Sequence, residues 1–93
     1  SNGDDAYTYA RKAYRESSFD DAQNYARKAK NAADDAKSAA EDCNCDEAAS
    51  EFDDAYTYAR RAYIASDLSE LRDYARRAMH AAEAGNEAAE NCR

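Results

Sequence analysis

Apolar residues recur along this chain with a helical period, and they do so four times. The first run places Ala6, Tyr7, Ala10, Ala13 and Tyr14 at i, i+3, i+4, i+7 spacing, which makes one stripe on an amphipathic helix. That stripe breaks at Ser17-Ser18. The second run is a strict heptad: Ala22, Ala26, Ala29, Ala33, Ala36, Ala40 and Cys43 are spaced 4, 3, 4, 3, 4, 3. A spacing of 3.5 predicts a left-handed crossing of paired helices near +20°. Ser18 is placed to cap this helix, with Asp20 and Asp21 in its first turn. A third helix is predicted from Cys45 or Asp46 to Ala65. The fourth repeats the heptad with Leu71, Ala75, Ala78, Ala82, Gly85, Ala89 and Cys92. Asp67 sits at its cap position with Glu70 three residues on, the arrangement of a capping box. Asn44, between two cysteines, suits the left-handed conformation that often ends a helix.

The runs are copies. Shifted by 49 positions, Asp4 to Cys43 lies over Asp53 to Cys92 without a gap, and 21 of the 40 pairs are identical, including the octapeptide DDAYTYAR. The chain therefore reads as two helical hairpins in tandem, 4–44 and 45–93, that together make one domain. The expected fold is all-α, an up-down four-helix bundle with short loops; the competing arrangement is two stacked solenoid hairpins with an open groove. Residues 1–3, Ser-Asn-Gly, read as a cloning scar.

Composition supports the helical reading and narrows the core. The chain has 93 residues, no Pro, two Gly and no Val. Apolar residues make up 44%, and 24 of them are Ala. The large aliphatics are Ile64, Leu68, Leu71 and Met79, so much of the area available for burial belongs to eight Tyr and two Phe. The tyrosines of DDAYTYAR are accordingly expected to fill the core against the alanine seam, and Gly85 marks either a close helix contact or a mild local weakness near the last turns.

Within the first half of each unit, Tyr7, Ala10 and Tyr14, followed by Phe19, Ala22, Tyr25 and Ala29, resemble the apolar positions of a tetratricopeptide-type hairpin. The chain departs from that family in its period of 49 against about 34, in its longer second helix and in the missing Pro. The chain also resembles uncharacterised bacterial Ala/Tyr-rich helical-repeat proteins. The tetratricopeptide-type resemblance implies a protein-interaction scaffold; the second resemblance brings no function with it.

Charge removes several function classes. The formal net charge is −7, the wrong sign for a nucleic-acid backbone or an anionic membrane surface, and no apolar run approaches the roughly 20 residues that span a bilayer. The charges are also sorted. In an antiparallel fold, eleven of the 13 basic residues (Arg11, Lys12, Arg15, Arg27, Lys28, Lys30, Arg60, Arg61, Arg72, Arg76, Arg77) gather toward the hairpin loops. Fourteen of the 20 acids gather toward the opposite end. Such a surface either orients a partner or is simply a solvated exterior.

Candidate chemistry is sparse. Cys43, Cys45 and Cys92 fall at one end of an up-down bundle. Three readings of them stand side by side. The first is a disulfide from Cys43 or Cys45 to Cys92. The second is inert thiols, with Cys43 and Cys92 as small seam residues. The third is a three-thiolate site for Cu(I) or Zn. A disulfide would point to export, with any signal peptide already removed. His80 reads as a surface residue. No motif of an enzyme is present, and no cofactor is expected beyond that soft metal. Tyr7, Tyr9, Tyr14, Tyr56, Tyr58 and Tyr63 are candidates to line a groove for a protein or peptide partner. The expected function is thus a non-catalytic structural or protein-interaction module, and the alternative is a thiolate metal-binding protein.

Overall fold

The computed structural model describes residues 1–92. Four helices form a closed bundle: α1 (Asn2–Arg15), α2 (Phe19–Asp42), α3 (Asp46–Tyr63) and α4 (Leu68–Asn91). Each helix packs on the two that neighbour it in the square, and the diagonal pairs α1/α3 and α2/α4 barely touch. The molecule is a rod of 40 × 17 × 17 Å, close to the length of about 36 Å expected for its 24-residue helices. The closed bundle leaves no room for the open groove of a stacked solenoid.

Local chemistry sets the helix ends. The Asp21 amide donates to Ser18 Oγ at 3.4 Å, and the Glu70 amide donates to Asp67 Oδ1 at 2.8 Å. Ser1 caps α1 through the Asp4 amide. Asn44 ends the first hairpin at φ 58°, the left-handed conformation its side chain tolerates. The third helix ends at Tyr63, short of the expected Ala65. Ile64 leaves the helix 62% exposed, whereas Ala65 turns inward and is buried.

The heptad seams are real over most of their length. Ala22, Ala26, Ala29, Ala33, Ala36 and Ala40 are all buried, as are Leu71, Ala75, Ala78, Ala82 and Gly85. Both seams fail at their last turn. Cys43 and Cys92 are helix C-caps rather than seam residues, and Cys43 and Ala89 are exposed.

The core differs from expectation in one respect: tyrosine does not fill it. Besides alanine and the two glycines, the buried residues are only Phe52 (3% exposed) and Leu71 (0%). Seven tyrosines are half-buried and Tyr14 is 37% exposed. The reason is the seam itself. Alanine brings the helices too close for a phenol ring to enter between them, so the rings lie half-buried over the grooves.

Phe52 has its own niche. An added Cβ on Gly85 would lie 2.6 Å from the Phe52 ring, and one on Gly3 would lie 2.9 Å from its tip. The two glycines thus form the walls against which the ring packs. Two side chains tie the halves together at the other end. Arg72 Nη2 and Nε donate to the Glu16 carbonyl at 2.8 and 3.2 Å, and Gln23 Nε2 donates to the Tyr63 carbonyl at 3.0 Å. Each satisfies a carbonyl that a helix end leaves without an internal partner. No helix among the described residues is long and apolar enough to cross a membrane.

Candidate functional site

The two ends of the rod carry the chemistry. At one end the chain turns from α2 into α3 through Cys43-Asn44-Cys45, and α4 finishes beside it at Cys92. Because α2 and α4 run parallel, their C-caps share this end. Cys45 and Cys92 are joined by a disulfide with a Cα–Cα distance of 5.8 Å, while Cys43 is free and exposed. Of the two pairings open to Cys92, the bundle brings Cys45 to it. Two of the three sulfurs are thus bonded to each other. Among the described residues no group of three His, Cys, Asp or Glu side chains is assembled for a metal ion. A site for Cu(I) or Zn on Cys43, Cys45 and Cys92 would require the reduced form. His80 is exposed.

Beneath the disulfide lies a cavity of about 600 Å³. Its walls are mostly apolar, with Ala36, Ala40, Phe52 and Ala89 prominent, and Cys43 and the disulfide lie at its edge. Asn86 also lines it, and its Nδ2 donates to the Gly3 carbonyl at 3.1 Å.

At the loop end the basic residues are arranged on aromatic rings. Tyr9 of α1 and Tyr25 of α2 stack with centroids 6.3 Å apart and planes 21° from parallel. Lys12 Nζ lies 5.9 Å from the Tyr9 centroid and 5.7 Å from that of Tyr25. Lys28 Nζ lies 5.6 and 5.9 Å from the same two rings. The second hairpin repeats the theme with Arg61 and Arg77 at 6.0 and 5.6 Å from the Tyr74 centroid. Lys30 lies 6.0 Å from the Tyr63 ring. These are distances at which a cation is drawn to the electron-rich ring face. A cavity of about 340 Å³ beside the first cluster is lined by Arg11, Lys12, Arg15, Glu16 and Tyr25. Its one acid is engaged with the backbone: Glu16 Oε1 accepts from the amides of Ser17 and Ser18 at 3.0 and 3.2 Å.

Few of the belt's cations have an acidic partner. Among the described residues the side-chain ion pairs are Lys37–Asp53 at 3.0 Å, Arg76–Asp73 at 3.1 Å and Arg77–Asp73 at 3.3 Å. Lys37 lies outside the belt. Its ammonium is held above the usual lysine range by the hydrogen bond from Nζ to Asp53 and by that carboxylate's charge, with smaller help from Glu41 and Asp34.

The six tyrosines named from the sequence do not converge. Tyr7 and Tyr56 lie over the middle of the bundle, Tyr9 and Tyr58 pack against another alanine layer, and Tyr63 joins the loop-end cluster. None of them lines the 600 or the 340 Å³ cavity. Of the six, Tyr9 and Tyr63 lie under cations; Tyr25 and Tyr74, which carry the rest of the clusters, are not among them. A signal for them was present: a ring and a cation three residues apart, Tyr25/Lys28 and Tyr74/Arg77, share one helix face.

No protein-family model matches the chain, and neither a curated protein nor a solved structure matches it significantly.

Proposed function

We propose that the chain is a non-catalytic interaction module: two helical hairpins in tandem, held as one rigid rod and presenting charge-sorted faces to a protein partner. The observation that carries this reading is the contrast between interior and exterior. The buried side chains of the described residues are alanine, Phe52 and Leu71, with no polar or charged group among them. An interior of this kind supplies packing and no proton, nucleophile or ligand. The chemistry lies on the exterior, where rings and cations occur in organised clusters. The disulfide supports the same reading, because a bridge over a long loop is a device for holding a small alanine core together in an oxidising compartment.

The test is intact-mass spectrometry of unreduced protein with thiol alkylation, first native and then denatured. The scaffold reading expects one alkyl group, on Cys43, in both states, three after reduction, and no retained metal. Copper or zinc in the native mass, with three thiols alkylated on denaturation alone, overturns it in favour of a thiolate metal-binding protein built on Cys43, Cys45 and Cys92.

A further inference from the structure

Positions 49 apart in the two hairpins carry like residues: Tyr9, Lys12, Tyr25 and Lys28 in the first, Tyr58, Arg61, Tyr74 and Arg77 in the second, where both cations lie over the Tyr74 ring. The two clusters differ in what neutralises them. In the second, Asp73 stands one turn before the cations, accepts a hydrogen bond from Arg76 Nη2 through Oδ1 and forms an ion pair with Arg77 Nη2 through Oδ2. In the first, the corresponding residue is Asn24. Its Oδ1 accepts from Arg27 Nη2 at 2.8 Å, and Lys28 has no carboxylate within ion-pairing distance among the described residues. In the second hairpin a carboxylate thus neutralises the ring-bound Arg77, and the matching Lys28 of the first hairpin lacks one.

Three further features make the first cluster a receptor rather than an ordinary lysine-rich surface. Lys12 and Lys28 come from different helices and lie within 6 Å of the same two stacked rings, and neither has a carboxylate within ion-pairing distance among the described residues. Arg11 and Arg15 add two more cations around the adjoining 340 Å³ cavity. The single acid in that cavity is spent on two backbone amides. The rings offer flat faces for the aliphatic stems of an incoming side chain. The whole molecule's charge of −7 works against long phosphate polymers, but a local cluster of unpaired cations still attracts a short acidic segment within a Debye length of about 10 Å.

We propose that the face formed by Arg11, Lys12, Arg15 and Lys28 around Tyr9 and Tyr25 binds the carboxylates of an Asp/Glu-rich segment of another protein, and that Asp73 keeps the equivalent face of the second hairpin closed to such a segment. This rests on the reading of the chain as an interaction module. The test is calorimetric titration of the oxidised protein with hexaglutamate peptide at about 0.02 M and about 0.2 M salt.

The wild type is expected to bind one peptide, more weakly at the higher salt. Asn24→Asp, an exposed substitution that copies the second hairpin, is expected to weaken binding about tenfold. Asp73→Asn is expected to raise the stoichiometry from one to two. Circular dichroism and melting curves should match the wild type for both variants. Unchanged affinity in Asn24→Asp, or no binding by the wild type, overturns the proposal. So does tighter binding of sodium tripolyphosphate with the same Asn24→Asp sensitivity, which reassigns the face to phosphate groups. Self-association of the wild type in sedimentation runs without peptide, lost in Asn24→Asp, overturns it in favour of a second copy of this chain. Any of these results leaves the thiol count untouched, so the receptor face and the scaffold reading fail separately.

Discussion

The loop end and the disulfide end of the rod solve the same packing problem with different means. At the loop end the helix dipoles are matched on all four helices. Lys12, Arg15, Arg60 and Arg61 lie in the last turns of α1 and α3, and Asp20, Asp21 and Glu70 lie in the first turns of α2 and α4. Leu71 fills the centre, ringed by Phe19, Tyr25, Tyr63, Leu68 and Tyr74. At the disulfide end only half of the helices are matched. Asp4, Asp5, Asp46 and Glu47 suit the starts of α1 and α3, but α2 and α4 finish with no basic residue in their last turns. Glu41, Asp42 and Glu90 stand there instead, where the partial charge of the helix is already negative. An open pocket of about 600 Å³ also lies at this end, with Phe52 on its wall. The covalent bridge sits at the end that electrostatics and packing leave weaker. Where side chains alone hold the bundle together, no bridge is found.

That contrast can be broken from either side. The largest effect is expected from reduction. The bridge spans a sequence separation of 47, for which loop-closure entropy gives about 4 kcal/mol. Urea unfolding with and without reductant measures this. Hydrogen exchange should show the loss first in the final turns of α2 and α4, and more so at low salt, where the acidic end repels itself most. Next is Leu71→Ala, which empties the centre of the loop end. A loss of about 3 kcal/mol is expected by the same urea method, with the disulfide intact. Gly85→Ala follows. Alanine is the better helix former by about 1 kcal/mol, yet here its methyl would overlap the Phe52 ring. The expected net result is a loss of about 1–2 kcal/mol, and a gain would show that the ring moves freely into the cavity. The smallest effect belongs to Asp53→Asn. Lys37 has a raised pKa in the folded protein, so the stabilisation it receives from Asp53 is complete below about pH 10.4, the unfolded value. It fades as pH rises through the higher folded value. Melting curves of wild type and Asp53→Asn should therefore differ slightly at neutral pH and converge in strong alkali.

How far the sequence could be read follows from symmetry. Helix positions, the Ser18 and Asp67 caps, the Asn44 turn and the alanine seams were all legible, because each depends on residues within a turn or two of one another. The sequence also placed the three cysteines at one end, since chain direction alone requires it. What it hid lies where the two halves meet. Phe52 corresponds to Gly3, and Leu71 to Ala22. In each case the larger residue of the second half occupies space beside its smaller counterpart: the Phe52 ring lies against Gly3, and Leu71 and Ala22 share one cluster. Two large residues would not fit in a bundle this narrow. A comparison of the halves shows that these positions differ, but the reason appears only when the halves face each other. The tyrosines were misread for a related cause. Their spacing gave the right face, but the width of the gap between alanine-lined helices was not written in any one helix. The candidate site was legible in its cations and in Tyr9, but not in Tyr25, because the two rings meet only across the α1–α2 groove.

The bridge from Cys45 to Cys92 has a mechanical consequence. It closes α3 and α4 into a loop whose two ends are the same covalent knot. A tension applied at the two termini of the oxidised chain runs from the first residue to Cys45, crosses the sulfurs, and leaves at Cys92. The first hairpin lies in the load path and the second does not. Stretched to full length, the oxidised chain would come out about 160 Å shorter than the reduced one, at roughly 3.4 Å for each residue held inside the loop. A reducing agent would thus change the extensibility of this rod.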